Sequence, residues 1–308
     1  MNKVSFITID EAHAGQRLDN FLISHLKGVP KSRIYRLLRK GEVRVNKARC
    51  KPDYRLELDD ELRIPPIRVA DAAPRPAHSG KLEWLEAAII YEDDVLIAMN
   101  KPSGLAVHGG SGVSLGLIEA LRQLRPEARF LELVHRLDRE TSGLLLVAKK
   151  RSALLALHEQ LRGTSVDKRY LALVKNPWQG KARMVEAPLL RSQTRSGERM
   201  VRVSEEGKVA RSRIVPQQLF RGATLVEVRI YTGRTHQVRV HCAHEGHPIA
   251  GDDKYGDRGF NKSMAAAGLK RLFLHAARMH LTHPVTGKPL ELDAPLPDDL
   301  VQVLDTMS

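Results

Sequence analysis

Five consecutive apolar residues constrain the fold of this chain more than any other feature: Leu144, Leu145, Leu146, Val147 and Ala148. A short uninterrupted apolar run of this kind is typical of a buried strand. Further strands are predicted at 95–99, 170–174 and 225–231, and helices at 115–124 and 153–161. This succession of strands and helices predicts a mixed α/β or α+β domain from about residue 84 to residue 308.

The first 65 residues predict a separate small unit. Apolar residues at helical spacing indicate a first helix: Leu18, Phe21, Leu22 and Leu26. A second helix is predicted after Pro30. Two short strands are expected beyond it, one around Val43 and Val45 and one across 56–64 with a turn at Asp59-Asp60.

The second helix of this unit carries a basic face. Ser32 is predicted as its N-cap and Gly41 as its stop. Nearly all of its exposed charges are positive, which favours contact with phosphates over a merely solvated surface. The candidate RNA-binding residues are Lys31, Ser32, Arg33, Arg36 and Lys40.

The chain as a whole is also basic, with a formal net charge of +14. Such a field favours a polyanionic partner, either a nucleic acid or an anionic membrane. No run approaches the roughly 20 apolar residues of a membrane span, and the first residues lack the apolar stretch of a signal peptide. We therefore expect a cytoplasmic protein that does not bind membranes.

A segment rich in Pro and Ala, residues 66–83, separates the two predicted units. It has no hydrophobic periodicity and is typical of a linker. The expected organisation is a small domain at 1–65, a linker at 66–83 and a catalytic domain at 84–308.

Asp138 is the strongest candidate for a catalytic residue. It stands between Arg136 and Arg139, just before the apolar strand. Nearby positive charge favours the ionised form of a carboxyl group. Asp138 is therefore predicted to act as a nucleophile and not as a proton donor. A turn-forming aspartate is the alternative if this residue is considered alone.

The segment around Asp138 resembles the HRLDxxTSG signature of the RluA-type pseudouridine synthases at every fixed position. Other segments match the same family: NKPxG at 100–104, Lys-x-Tyr at 168–170, GRTHQ(I/L)RxH at 233–241 with Val at the variable position, Gly251-Asp252 with Tyr255-Gly256, and Leu274-His275-Ala276. Residues 16–65 resemble the S4 RNA-binding module. The resemblance implies an α+β fold: a catalytic domain with a central mixed, largely antiparallel sheet flanked by helices, and a small S4-like domain before it.

The family isomerises uridine by breaking the C1′–N1 bond, turning the uracil over and joining its C5 to C1′. By resemblance, Asp138 either attacks the sugar or removes a proton from its C2′, and both routes remain open. Tyr170 is implied to stack on the flipped base, and Arg239 to pair with Asp138. Arg136 is implied to contact phosphate or to fill the gap left by the base, and Arg234 to shape its loop or touch phosphate.

The resemblance further implies an isomerase that acts on uridines of 23S ribosomal RNA, anchored by the S4-like unit. No cofactor is expected, because the reaction includes no redox change and no net hydrolysis. We also expect a monomer. The alternative is a catalytically idle RNA-binding factor of ribosome assembly that kept the fold.

A group of histidines around Cys242 raises the question of a metal site: His236, His241, His244 and His247. Zinc sites usually draw on paired cysteines or on histidines one helical turn apart. His236 and His241 are expected to lie where a strand runs into a helix, so they would not share a face. We expect no metal, and expect Cys50 and Cys242 to be reduced thiols.

Overall fold

A computed structural model describes residues 4–10, 13–26, 28–67, 82–109, 115–193 and 199–307. The chain divides into two compact units, Met1–Ser79 and Gly80–Ser308. The predicted linker falls mainly on residues 68–81, which lie outside the described residues. At its two ends, Ile67 packs in the core of the first unit and Leu82 in that of the second. Within the described ranges, no helix has both the length and the apolar character needed to span a membrane.

The first unit combines two helices with a small sheet. Its elements are β1 (Ser5–Thr8), α1 (Leu18–His25), α2 (Lys31–Lys40), β2 (Arg44–Val45) and β3 (Glu61–Ile64). The three strands pair antiparallel in the order β1-β3-β2. Both predicted helices are confirmed, and their apolar faces form the core with Leu18, Phe21, Leu22, Ile34, Leu37 and Leu38 buried.

Two local predictions in this unit are wrong. The N-cap of α2 is Pro30 and not Ser32, because the Pro30 carbonyl already accepts hydrogen bonds from the Arg33 and Ile34 amides at 2.9 and 3.2 Å. The predicted strand across 56–64 is restricted to β3, and Leu58 is 51% exposed. The stop at Gly41 is confirmed, since its φ of 68° lies in the left-handed region that closes many helices.

The second unit is larger and mixes strands with helices. Its first elements are α3 (Trp84–Ala87), β4 (Ile89–Glu92), β5 (Leu96–Lys101), α4 (Leu117–Leu124), β6 (Glu132–Leu133), β7 (Ser142–Ala148), α5 (Arg151–Arg162) and β8 (Asp167–Lys175). There follow β9 (Arg183–Glu186), β10 (Leu189–Gln193), β11 (Arg199–Val203), β12 (Arg211–Phe220), β13 (Ala223–Ile230), α6 (Gln237–His244), α7 (Arg258–Ala266), β14 (Leu274–Thr282), β15 (Pro289–Asp293) and α8 (Asp298–Met307). The predicted fold class is confirmed.

A ten-stranded sheet is the frame of this unit, and its main path runs β4-β5-β7-β14-β8-β13-β12-β9. The pair β7 and β14 is parallel, whereas the other pairings described in this sheet are antiparallel. The predicted apolar strand is β7, and all seven of its residues are buried. A strand that is covered on both faces explains why its sequence is continuously apolar.

Gly143 allows β7 and β14 to approach closely. Its φ of 109° is strained for a residue with a side chain. A Cβ atom at this position would collide with the backbone of Ala276, its partner on β14. The glycine, five residues after Asp138, therefore allows the first residues of β7 to pair closely with β14.

Candidate active site

An open cleft of about 140 Å³ lies in the second unit. It forms where the loop before β7, the strand β8, the loop from β13 to α6 and the start of β14 meet. The residues predicted for catalysis and substrate binding all line this cleft: Arg136, Asp138, Tyr170, Arg234 and Arg239. Residues separated by about a hundred positions in sequence are thus brought together.

Lys101 is hydrogen-bonded to the backbone of the loop that carries Asp138. This lysine is fully buried, and its Nζ donates to the carbonyls of Pro102, Leu105 and Arg139 at 2.8, 3.0 and 3.0 Å. Burial lowers the pKa of Lys101 to about 8, although the charges of Glu140 and Asp138 oppose the shift. The lysine of the NKPxG segment thereby fixes the backbone next to Asp138.

Further hydrogen bonds join the same two loops. The Gly104 amide donates to the Arg139 carbonyl at 2.9 Å, and Nε of Arg139 donates to the Gly104 carbonyl at 2.9 Å. The Ser103 hydroxyl donates to the Glu140 carbonyl at 2.7 Å. These contacts give the loop a defined shape before any substrate binds.

The Asp138 carboxylate faces His236. Its Oδ2 lies 3.7 Å from Nε2 of His236, and the Asp138 side chain is 23% exposed. The adjacent arginines do not hold it as their positions in sequence predict: Arg136 is exposed, and Arg139 contacts Gly104 and Glu140 instead. Among the described residues, His236 is the basic side chain that lies within ion-pair distance of Asp138.

Arg239 reaches the cleft, but the predicted pair with Asp138 is wrong. Its Nε and Nη2 donate to Oδ2 and Oδ1 of Asp252 at 2.7 and 2.6 Å. Burial opposes the charge of Arg239, yet the hydrogen bonds and charge of Asp252, with a contribution from Asp138, leave the pKa of Arg239 above its ordinary value. Arg239 therefore acts on Asp138 through its charge and not through a direct contact.

Tyr170 presents its ring beside Asp138. It lies on β8 between Val228 of β13 and Ala276 of β14, and packs against the hydrophobic clusters on both sides. Burial, together with the negative charge of Asp138, raises the pKa of Tyr170. The phenol is therefore uncharged at neutral pH, and its ring offers a flat apolar surface in the cleft.

Exposed arginines form the rim of the cleft. Arg136 and Arg234 both line it from the solvent side, as does Arg191 of β10. Nε of Arg234 donates to the Val209 carbonyl at 3.0 Å, and Nη2 of Arg191 donates to Oγ1 of Thr235. The rim is positively charged and suited to a polyanion.

The candidate RNA-binding residues lie in the first unit, on α2. Lys31, Ser32, Arg36 and Lys40 are exposed, and Arg33 is half-buried. They occupy the side of α2 away from its buried residues Ile34, Leu37 and Leu38. The predicted basic face is present.

The sequence did not indicate roles for His236, Asp252 and Tyr255. Tyr255 accepts the Val201 amide at 2.9 Å, and its hydroxyl lies 2.7 Å from Nδ1 of His236. All three lie in segments that match the family pattern, which was the available signal. The pairing among them depends on the fold and not on spacing.

Three of the histidines near Cys242, namely His236, His241 and His247, make side-chain hydrogen bonds. Nε2 of His241 donates to the Ala187 carbonyl at 3.0 Å, and its Nδ1 accepts from the Ser212 hydroxyl at 2.9 Å. Burial lowers the pKa of His241, which is consistent with this neutral form. In the part of the chain that the structure describes, no group of three or more His, Cys, Asp or Glu residues is arranged to hold a metal ion.

Comparison with known proteins follows the same division of the chain. A family model described as RNA pseudouridylate synthase matches residues 95–244, and an S4 domain model matches residues 16–62. The solved structure of human RNA pseudouridylate synthase domain containing 4 is 28% identical, with a TM-score of 0.62, and the match covers 74% of this chain and 95% of that one. Human RNA pseudouridylate synthase domain containing 1 is 26% identical, with a TM-score of 0.58, covering 68% and 83%.

Relatives of known name match along nearly the whole chain. Ribosomal large subunit pseudouridine synthase C of Pasteurella multocida is 56% identical over 306 residues, which cover 99% of this chain and 94% of that protein. The protein of the same name from Escherichia coli K12 is 58% identical over 309 residues, covering 99% and 96%. The chain belongs to the RNA pseudouridine synthase family, as its sequence motifs predict.

Proposed function

We propose that this protein converts uridines of the 23S RNA of the large ribosomal subunit to pseudouridine, with Asp138 as the catalytic carboxylate. The observation that carries the proposal is the placement of Asp138 and Tyr170 in one cleft. Support comes from the full-length similarity, at 56% and 58% identity, to proteins named for this activity on the large subunit.

The reaction breaks the C1′–N1 bond of the target nucleotide and forms a C1′–C5 bond after the uracil has turned over. C5 then loses its hydrogen as a proton and N1 gains one, so no oxidation state changes. The Asp138 carboxylate either attacks C1′ or removes a proton from C2′. Both routes need a carboxylate that is accessible from the cleft, which fits the partial exposure of Asp138.

Tyr170 receives the base. An enzyme that acts on a base takes it out of the stack and holds it against aromatic or apolar side chains. The raised pKa of Tyr170 keeps a second negative charge away from Asp138. Its uncharged ring therefore stacks on the uracil without placing a second charge next to Asp138.

The arginines divide into two roles. Arg136, Arg191 and Arg234 lie exposed at the rim, where guanidinium groups bind backbone phosphates on either side of the flipped nucleotide. Arg239 is held inside by Asp252 and supplies a fixed positive charge near Asp138. Its action on Asp138 is electrostatic and requires no movement.

The basic face of α2 anchors the RNA through Lys31, Ser32, Arg33, Arg36 and Lys40. Phosphate contacts of this kind supply affinity without sequence specificity. We further propose that the protein works as a monomer in the cytoplasm and needs no cofactor, because the isomerisation is redox-neutral. A catalytically idle assembly factor is not favoured, since such a protein would have no need to keep Asp138 and Tyr170 together.

Tritium release tests the proposal. Ribosomal RNA labelled at C5 of uridine loses its label when C5 joins C1′. We expect release by the wild-type protein and none by Asp138→Asn, whereas Asp94→Asn, an exposed aspartate outside the cleft, remains active. Absence of release from the wild type would refute the function, and activity in Asp138→Asn would refute the catalytic assignment.

A further inference from the structure

His236 has an unusual backbone conformation at the start of α6. Its φ of 54° and ψ of 19° lie in the left-handed region, which residues with a side chain seldom adopt. The Gln237 side chain fixes the surrounding loop, because its Oε1 accepts from the Thr232 hydroxyl at 2.7 Å and from the Arg234 amide at 3.1 Å. Strain that a surrounding network maintains is often found at functional sites.

Hydrogen bonds determine which ring nitrogen of His236 carries the proton. The Tyr255 hydroxyl oxygen accepts the Val201 amide at 2.9 Å, so its own hydrogen is available for Nδ1 of His236 at 2.7 Å. A neutral imidazole that accepts at Nδ1 carries its hydrogen at Nε2. Nε2 is the atom that lies 3.7 Å from Oδ2 of Asp138.

The surroundings keep this imidazole neutral. The charged groups that act on it are Asp138, Arg239, Lys254 and Asp252. Burial is the main cause that lowers the pKa of His236, and the charges of Arg239 and Lys254 lower it further. The charges of Asp138 and Asp252 oppose the shift without reversing it. The Arg239 guanidinium also lies 5.1 Å from the Tyr255 ring centre, which holds the tyrosine in place.

We propose that His236 is a positioning residue for Asp138 and that Tyr255 sets the tautomer in which it acts. The Nε2–H engages one oxygen of the carboxylate and leaves the other for the ribose. At 3.7 Å the contact lies outside hydrogen-bond range. We expect it to shorten to a hydrogen bond when RNA binds. The inference rests on the proposed function, in which Asp138 is the catalytic carboxylate.

Substitutions that replace one ring nitrogen at a time test the role. The glutamine amide in His236→Gln reaches the position of Nε2, whereas the asparagine amide in His236→Asn reaches only that of Nδ1. We expect His236→Asn to lower the single-turnover rate of tritium release about 10- to 100-fold, and His236→Gln to restore most of it. Tyr255→Phe keeps the ring but leaves the tautomer free, and lowers the rate about 10-fold.

RNA affinity and the thermal midpoint are measured for each variant, and RNA affinity should stay at the wild-type value. The thermal midpoint should stay unchanged for the two His236 variants and fall modestly for Tyr255→Phe, which loses the acceptor of the Val201 amide. Tyr91→Phe is the matched control, since the Tyr91 hydroxyl donates to Asp93 at 2.6 Å outside the cleft. Equal rates for the Asn and Gln variants, a wild-type rate for Tyr255→Phe, or rates that fall in step with the thermal midpoint would overturn the inference. A wild-type protein without tritium release would refute the proposed function instead.

Discussion

Arg239, which lines the cleft, forms a buried bidentate ion pair with Asp252, with nitrogen–oxygen distances of 2.7 and 2.6 Å. Their side chains are only 6% and 1% exposed, so neither charge has access to much water. Oδ1 of Asp252 also accepts the amides of Lys254 and Tyr255 at 2.9 and 3.0 Å. The pair therefore joins α6, which starts next to His236, to the turn that carries Tyr255.

Breaking this pair should be strongly destabilising. Asp252→Ala leaves the Arg239 guanidinium buried without a counter-charge, and we expect the free energy of unfolding to fall by about 3–5 kcal/mol. Urea denaturation measures the change. Asp253→Ala is the control, because Asp253 is exposed and its loss should cost less than about 0.5 kcal/mol.

A double variant tests whether this loss of stability comes from the unpaired buried charge. Arg239→Met combined with Asp252→Leu removes both charges, so it should be more stable than Asp252→Ala alone. Tritium release should nevertheless stay low, because the fixed charge near Asp138 is gone. Full activity in the double variant would show that Arg239 has no electrostatic role.

Lys101 should make stability depend on alkaline pH. Its pKa is about 8 in the folded protein and near 10.5 in the unfolded chain, so the unfolded chain binds more protons between these values. The free energy of unfolding should therefore rise across pH 8 to 10.5, by up to about 3 kcal/mol at about 1.4 kcal/mol per pH unit. Urea denaturation of wild type and Lys101→Met at several pH values measures this.

The Lys101→Met variant should show a smaller rise, since burial also lowers the pKa of Lys168 in both proteins, and it should be less stable overall. Its methionine leaves the carbonyls of Pro102, Leu105 and Arg139 without their buried donor. An equal rise in both proteins would assign the pH dependence to other groups.

Gly143→Ala should damage both the sheet and the active site. The alanine must adopt a positive φ, and its methyl group would collide with the backbone of Ala276. We expect a loss of about 2–4 kcal/mol, composed of about 1 kcal/mol for the backbone and about 1–3 kcal/mol for overpacking. Gly180→Ala also has a positive φ but meets nothing nearby, and should cost only about 1 kcal/mol. Equal losses would show that β7 and β14 can separate without cost.

Reversing charge on α2 should weaken RNA binding. Replacing Arg33 and Arg36 with Glu prevents both side chains from binding phosphate, and the dependence of log affinity on log salt should become shallower by about one for each phosphate that is no longer bound. Binding to ribosomal RNA at several salt concentrations measures this slope. The matched control replaces Lys47 and Lys51 with Glu. Both lysines are exposed and lie in the same unit outside α2. Equal effects from both pairs would show that only net charge matters.

Helices and strands could be predicted from the sequence where the pattern of apolar residues shows which side chains are buried. The strand β7 is predictable because all of its residues are covered, and α2 because its apolar and basic residues separate by face. The start of α2 was harder, since both Pro30 and Ser32 are compatible with a helix start and only the hydrogen bonds to the Pro30 carbonyl decide. The strand β1 was missed because only four residues with half-buried alternation form it.

The candidate site was predictable residue by residue, but its pairings were not. Motif matches brought Asp138, Tyr170 and Arg239 into one hypothesis, and all three line the cleft. They could not show which carboxylate Arg239 binds, because Asp138 and Asp252 both lie in matching segments. Nor could they show that Lys101 is fully buried, since lysines are usually exposed.

The position of β14 in the sheet has a consequence for biosynthesis. This strand lies between β7 and β8, although it is translated long after both. Until β14 has been translated, the nascent chain contains the strands on the β7 side and those on the β8 side of the sheet, but not the strand that pairs with both. Asp138 precedes β7 and Tyr170 lies on β8, so their approach awaits that strand. We expect catalytic competence to arise late in translation and in a single step.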